Sequence, residues 1–344
     1  MIFTRLTSAS RNLVNLSVRN MSSGKSKVFV TRNDMPKCGL DLLNKECDVS
    51  YWDKPSPAPR QELLKRVAGT NAIYCALSDK IDRELLDAAG PQLKVVSTIS
   101  VGYDHVDVVE CRKRGIRIGY TPDVLTDATA ELTLALLLCT SRRLTEAIHE
   151  AKTGGWVSWA PTWMTGPGLA GATVGIVGFG RIGQAVGRRV KAFNTAKILY
   201  FNRSEKAEAK EIGAEKVSFD ELLEKSDFVI CTAALVPETK EMFNKAAFAK
   251  MKNTAVFVNT SRGGTVDQDA LIEALQNNVI WGAGLDVTTP EPLPLDSPLF
   301  KMKNCVVLPH IGSAAIEARD TMSTLTAQNI LAALNGKDMP AELK

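Results

Sequence analysis

The chain has 344 residues, too many for one small core and suited to two domains; 45% of them are hydrophobic and 23% charged, an ordinary globular balance. A formal net charge of +4, much of it in the N-terminal segment, comes without a basic patch interleaved with aromatics, so no nucleic-acid partner is expected. Seven scattered cysteines show neither a CxxC pair nor a His/Cys cluster of metal-ligand spacing, which implies reduced thiols in an intracellular compartment and no metal site.

No acidic residue precedes Asp34, while Arg5, Arg11 and Arg19 are spaced among Ser, Thr, Asn and aliphatic residues. That is the makeup of a mitochondrial presequence, whereas initiation at Met21 would give a cytosolic N-terminus. Residues 1–24 are therefore read as a leader or tail, and the compartment as mitochondrial matrix or cytosol. Apolar, β-branched runs then recur at helix-sized intervals: Val28 to Thr31, Ala72 to Leu77, Val95 to Ile99 and Ile116 to Tyr120. This alternation predicts a parallel sheet covered by helices over residues 25–120.

A Pro122-Asp123 turn leads to Thr126 and Asp127, a cap and early carboxylate that open a long helix at a domain crossover. Its apolar stretch from Leu132 to Leu138 is too short, and too closely bracketed by Asp127, Glu131, Arg142 and Arg143, to span a bilayer. It reads as a buried helix, and no membrane association is expected. Three of the five tryptophans follow in Trp156 to Trp163. Because Trp is enriched at buried contacts between chains, this loop reads as the arm of a homodimer.

A second series of strands is predicted at Val174 to Val177, Ile198 to Phe201, Phe228 to Cys231, Ala255 to Asn259, Ala283 to Val287 and Val306 to Leu308. Six strands with helical intervals fit a dinucleotide domain over residues 121–311. The first ends in Gly178-Phe179-Gly180-Arg181-Ile182-Gly183. Gly178 permits a tight turn, Gly180 lets the main chain approach a pyrophosphate, Gly183 lets helix pack on strand, and the helix N-terminus offers free N–H groups. About 20 residues on, where an NAD-specific site has an acid against the ribose 2′-hydroxyl, the chain has Asn202-Arg203-Ser204. With no carboxylate to repel a 2′-phosphate and Arg203 able to pair with it, NADP(H) is expected to be preferred, with NAD(H) left open.

The final helix, Ala314 to Leu334, stops at Asn335-Gly336 and is expected to return to the first domain, which is then discontinuous, 25–120 with 312–344. The fold class expected is α/β: two doubly wound parallel-sheet domains, a Rossmann-type cofactor domain and a flavodoxin-like substrate domain, with the active site in the cleft between them.

Three strand ends on the ligand side of the second sheet each carry one ionisable residue: Arg262 in Ser261-Arg262-Gly263, Glu291 in Pro290-Glu291-Pro292, and His310 in Pro309-His310-Ile311. Beside a nicotinamide the simplest assignment is reduction of a 2-oxo acid. Arg262 would hold the carboxylate and carbonyl oxygen through two parallel bonds. His310 would protonate the carbonyl oxygen as hydride reaches its carbon, and Glu291 would orient the imidazole and raise its pKa.

The glycine loop, a strand ending in Ser-Arg-Gly, the Gly284-Leu285-Asp286-Val287 strand leading to Glu-Pro, and Pro-His-Ile-Gly together resemble the D-isomer-specific 2-hydroxyacid dehydrogenase family from about Lys27 to Lys344. Within it, the segments Gly119 to Asp127, Asp286 to Pro294 and Leu308 to Ala314 look most like a branch that reduces glyoxylate to glycolate and hydroxypyruvate to D-glycerate. The resemblance implies that Arg262, Glu291 and His310 are the catalytic set. It implies that Val101 and Gly102 offer N–H groups to the substrate carboxylate with Ser313 nearby, and that Arg181 and Ile182 lie by the pyrophosphate. It places Ala234, Thr260 and Gly312 beside the cofactor and Asp286 toward the nicotinamide amide. His105 has no proton-transfer role in the family, and His149 is read as solvated. Two positions depart from the pattern: Asn194 stands where the family has Gly in a helix-ending turn, and Gly264 where a polar residue is common. A dinucleotide-sensing corepressor on the same fold is the alternative of a different class, and glyoxylate cannot be ranked against hydroxypyruvate from sequence.

Overall fold

A computed structural model of the chain describes residues 24–344, so the reading of a basic leader lies outside the described residues. The chain forms two wholly parallel sheets. The first contains β1 (Lys27–Val30), β2 (Asp48–Tyr51), β3 (Ala72–Cys75), β4 (Val95–Thr98) and β5 (Arg117–Gly119) in the order β2-β1-β3-β4-β5, the flavodoxin-like order. The second contains β6 (Thr173–Val177), β7 (Lys197–Phe201), β8 (Ala214–Lys216), β9 (Phe228–Cys231), β10 (Val256–Asn259), β11 (Gly282–Leu285) and β12 (Cys305–Val307) in the order β12-β11-β10-β9-β6-β7-β8. That is the dinucleotide-binding order with one strand added. β3, β4, β9, β10 and β11 are buried along their whole length, as expected of parallel strands covered on both faces.

Two strands go beyond the sequence expectation of four and six. β2 and β8 both lie at sheet edges; β2 is half exposed with an alternating pattern, and β8 is three residues long and mostly exposed. Neither needs the apolar run by which the other strands were recognised. The crossover helix begins at Thr126, but Leu125 occupies the cap position and makes no side-chain capping bond, so the expected Thr126 cap is corrected to a first helical residue.

The helix Thr126–Ser141 packs on the helix Arg181–Lys191 and on β10 and β11 of the second sheet. The helix Ile316–Leu334 crosses back to lie on the helix Lys37–Glu46 and on β3, β4 and β5. It contributes Met322, Ala327, Ile330 and Ala333 to the first domain's core. Tyr74 Oη donates to Ser323 Oγ at 3.0 Å, and Ser323 Oγ donates to the Pro36 carbonyl at 2.9 Å. Beyond that helix, Glu342 bridges antiparallel to Gly119 and takes Arg117 in a two-pronged ion pair of 2.8 and 2.6 Å, so the C-terminal segment covers the open edge of β5.

Strand register places the site. Val177, Cys231, Asn259, Leu285 and Val307 stand level across β6, β9, β10, β11 and β12. Their C-terminal neighbours Gly178, Thr232, Thr260, Asp286 and Leu308 therefore emerge along one edge, where open α/β sheets place ligands. In the first sheet Cys75 is level with Thr98, and Ser97, one residue earlier, with Gly119, so Ile99 and Tyr120 follow the paired residues at its corresponding edge.

Candidate active site

Two adjoining cavities lie along these edges. One, of about 420 Å³, is lined by Val101, Gly102 and Asp104 from the first domain and by Arg262, Asp286 and His310 from the second. The other, of about 640 Å³, is lined by Gly178, Gly180, Arg181, Asn202 and Arg203. Ile182, Thr232, Ala233 and Ala234 line both, so the two are one continuous cleft with a shared middle.

The larger cavity fits a dinucleotide. Gly178 has φ 90°, a backbone state other residues rarely adopt, and a side chain there would collide with the Ala233 main chain. A Cβ on Gly180 would meet nothing within 4 Å, so this residue faces the open groove, whereas Gly183 packs against the Gly178 carbonyl beneath it. The helix Arg181–Lys191 starts from Gly180 with no side-chain cap, leaving its first N–H groups for a ligand. Asn202 Oδ1 accepts from Phe179 N at 3.3 Å and Asn202 Nδ2 donates to the Ser204 carbonyl at 3.0 Å, joining the glycine loop to the end of β7. Arg181 pairs with Asp123, which itself has φ 71° at the crossover. Ser204 is exposed and lines neither cavity, so the structure brings Asn202 and Arg203 to the groove but not Ser204.

At the end of β10, the wholly buried side chain of Asn259 builds the turn that carries Arg262. Its Oδ1 accepts from Ser261 N at 3.0 Å and Ser261 Oγ at 2.8 Å, and its Nδ2 donates to the Arg262 carbonyl at 3.0 Å. Thr260 Oγ1 meets Thr133 Oγ1 at 2.8 Å, so the turn is also fixed to the crossover helix. Arg262 Nη1 donates to the Ser261 carbonyl at 2.9 Å, and Nε donates to Asp104 Oδ1, also at 2.9 Å, 158 residues away in the other domain. A Cβ on Gly102 would overlap Arg262 Nη2, so glycine is what admits the guanidinium against the 101–104 loop. Burial raises the Asp104 carboxyl pKa, but the Arg262 charge and hydrogen bond outweigh it and hold the group below the usual range.

At the end of β11, Glu291 is held at both oxygens: Thr288 N donates to Oε1 at 3.0 Å, and Oε2 lies 2.8 Å from His310 Nδ1. Burial pushes its pKa up, yet the His310 hydrogen bond and charge and the Thr288 N–H together bring it below the ordinary glutamate value. An ionised Glu291 assigns the proton to Nδ1 and leaves Nε2 of His310, which lines the smaller cavity, as the nitrogen that exchanges a proton. Glu291 sits behind the ring and does not line the cavity itself. His310 has φ 55°, and its N donates to the Asp286 carbonyl at 2.9 Å. Asp286 Oδ1 and Oδ2 accept from Ile311 N at 2.8 Å and Gly312 N at 2.7 Å. Burial raises the Asp286 pKa in spite of these donors. Both its oxygens are thus committed to the main chain that carries His310, a bracing role the sequence did not indicate.

Under the 100–105 loop runs a chain of hydrogen bonds whose direction can be derived. Ser100 Oγ donates to the Gly102 carbonyl at 2.6 Å, so it accepts from Thr98 Oγ1 at 2.8 Å, and Thr98 Oγ1 must accept from His105 Nε2 at 3.0 Å. The proton of His105 is therefore on Nε2. Its Nδ1 is buried with no partner, so a second proton there would meet no acceptor. Burial, opposed by Asp104 and reinforced by Arg262, lowers the His105 pKa from 6.5 to about 4. His149 is exposed on the helix Leu144–Thr153. Asn194 has φ 57°, the left-handed turn in which it replaces glycine, and Gly264 packs near Leu235.

The model for "D-isomer specific 2-hydroxyacid dehydrogenase, NAD binding domain" matches residues 134–312. The chain is 54% identical to glyoxylate reductase/hydroxypyruvate reductase of Homo sapiens over 92% of its own length and 98% of that protein. It is 47% identical to glyoxylate reductase of Thermococcus kodakarensis, covering 92% of this chain and 95% of the other. The fold is similar, with a TM-score of 0.80 and 30% identity, to an NADPH-dependent glyoxylate/hydroxypyruvate reductase of Sinorhizobium meliloti solved with NADP and malonate; the match covers 93% and 97% of the two chains.

Two outcomes are expected. Asp104→Ala frees the Arg262 side chain and raises KM for a 2-oxo acid on the order of 10-fold, the scale of one charged hydrogen bond, while Asp104→Asn, which keeps an acceptor for Nε, loses less. A parental KM in the alanine variant, measured by steady-state kinetics, would remove Asp104 as a positioning residue. Because His105 binds its proton more weakly folded (about 4) than unfolded (6.5), its contribution to stability is complete above about pH 6.5 and is lost as pH falls toward 4. Thermal unfolding between pH 7.5 and 4.5 should therefore show a shallower decline for His105→Gln than for the parent; parallel curves would refute the assignment.

Proposed function

The chain belongs to the D-isomer-specific 2-hydroxyacid dehydrogenase family, and from that premise we propose that it reduces glyoxylate to glycolate and hydroxypyruvate to D-glycerate, with NADPH as its preferred reductant. The observation that carries the reading is the Glu291–His310 contact of 2.8 Å on a cavity that Arg262 also lines and that opens into the dinucleotide groove. Gly178, Gly180 and the uncapped start of the helix Arg181–Lys191 would hold a reduced nicotinamide dinucleotide, which would supply the hydride for the carbonyl carbon. His310 Nε2 gives its proton to the carbonyl oxygen, so the oxo acid gains one hydride and one proton to become the hydroxy acid. Glu291 keeps its ionised oxygen on Nδ1, which retains its proton as the ring goes from charged to neutral. Arg262, braced at Nε and Nη1, directs Nη2 and its remaining donors to the substrate carboxylate and the oxygen on which charge develops.

NADPH preference is supported by the end of β7. Arg203 is exposed, lines the groove and makes no ion pair among the described residues, and the residue directly after β7 is Asn202, not an acid. The Sinorhizobium relative described above is itself NADPH-dependent. A homodimer is supported by the segment Trp156 to Trp163, in which Trp159 is 83% and Val157 91% exposed, a concentration of apolar surface suited to burial against a second copy. The matrix or cytosolic location rests on the N-terminal sequence alone. No observation favours a binding-only corepressor.

Following NADPH absorbance with each 2-oxo acid tests the activity. His310→Ala is expected to lose on the order of 10² to 10⁴ in kcat, the usual share of general acid catalysis, and near-parental turnover would remove it from the mechanism. Arg203→Ala is expected to lower the ratio of kcat/KM for NADPH over NADH on the order of 10-fold or more, the loss of one charge-assisted contact. An unchanged ratio would sink the assignment of Arg203.

A further inference from the structure

A second guanidinium lines the smaller cavity. Arg319 stands in the first turn of the helix Ile316–Leu334 and is half-buried; its Nε donates to the Ser313 carbonyl at 3.1 Å. Among the described residues no carboxylate comes within ion-pair distance of it. Asp286, whose charge acts on it favourably, has both oxygens engaged by Ile311 N and Gly312 N. Arg32, whose charge opposes it, is already closed on Asp34 by bonds of 2.7 Å. Burial is the largest effect on Arg319 and holds its pKa below the ordinary guanidinium value. A cation taken partly out of water with donors to spare is unfavourable unless an acceptor arrives.

The groups already assigned leave one part of the substrate without a partner. Arg262 and the 101–102 loop account for the carboxylate, and Arg262 and His310 for the carbonyl oxygen. Apart from these groups the cavity wall includes the apolar Leu77, Leu125 and Met322, which offer a C3 hydroxyl no hydrogen-bond donor, and Arg319, which does. We propose that Arg319 is the specificity-determining residue for C3, receiving a hydrogen-bond-accepting group there: the hydroxyl of hydroxypyruvate, in contrast to the methyl of pyruvate or the absent carbon of glyoxylate. This rests on the reductase reading above. A methyl group at that place would leave the spare donors of Arg319 desolvated and unpaired, which is how a site built to bond a hydroxyl rejects an analogue lacking it.

The experiment compares kcat/KM for glyoxylate, pyruvate and hydroxypyruvate in the parent, Arg319→Leu and Arg319→Lys, with thermal unfolding of each protein. The parent is expected to favour hydroxypyruvate over pyruvate by on the order of 10 to 100-fold or more. Arg319→Leu should bring that ratio toward one, mainly through KM, and should lose far more with hydroxypyruvate than with glyoxylate; Arg319→Lys should recover part of the ratio. An unaltered hydroxypyruvate-to-pyruvate ratio in a folded variant overturns the proposal. So does an equal loss on all three acids, which would mean that Arg319 serves only to hold Ser313. If the leucine variant does not fold, the parent and lysine ratios decide alone. A parent that reduces glyoxylate but does not separate hydroxypyruvate from pyruvate refutes this inference only, whereas a parent inert toward glyoxylate and hydroxypyruvate refutes the reductase reading itself.

Discussion

The bracing of the His310 segment by Asp286 is the constraint on which the site depends. A left-handed φ of 55° disfavours a residue with a Cβ by roughly 1 to 2 kcal/mol. Three hydrogen bonds oppose that penalty, from the N–H groups of His310, Ile311 and Gly312 to the carbonyl and carboxylate of one buried residue. Each contributes roughly 0.5 to 1.5 kcal/mol, and more where the acceptor is charged, so the bracing prevails. Its effect is to turn the imidazole with Nδ1 on Glu291 and its other nitrogen toward the cavity. Without the brace, the segment after β12 would relax into an ordinary extended loop and the ring would lose both alignments.

Arg262 is aligned in a different way, because its support comes from both domains. Asn259 and Ser261 shape its turn from within the second sheet, while Asp104 and the side-chain-free Gly102 receive it from the first. The 100–105 loop that receives it is itself tied down by the Ser100–Thr98–His105 relay. Neither domain alone contains a complete anion site. The guanidinium is correctly oriented only when the two sheets face each other, which is why the cleft, and not either sheet, is the functional unit.

The sequence made the fold legible because parallel strands packed between helices write themselves as apolar runs, and ten of the twelve did so. β2 and β8 escaped notice because an edge strand is satisfied by one neighbour and can carry polar residues. Arg262, Glu291 and His310 drew attention because ionisable residues in the segments that follow apolar strands are conspicuous. The partnership of Asp104 with Arg262 spans 158 positions, and no local pattern announces it. Asn259 looked like the last residue of a strand, and Arg319 had no signal beyond its place in the final helix; both acquire meaning only from what surrounds them in three dimensions. The signal that could have directed attention to Asp104 was its place in the loop after β4, beside Val101 and Gly102, which the resemblance implied for the substrate carboxylate.

The return of the helix Ile316–Leu334 to the first domain has a consequence for how the molecule comes into being. During translation residues 25–120 leave the ribosome first, yet four of the apolar side chains that fill their core, Met322, Ala327, Ile330 and Ala333, and the Glu342 that closes the β5 edge, are made some two hundred residues later. The dinucleotide domain, contiguous in the nascent chain, has all its strands in hand before then. The order of maturation is thus inverted relative to the order of synthesis: the half made first is completed last, and until then its unfilled core and open strand edge are the surfaces that chaperones would have to shield.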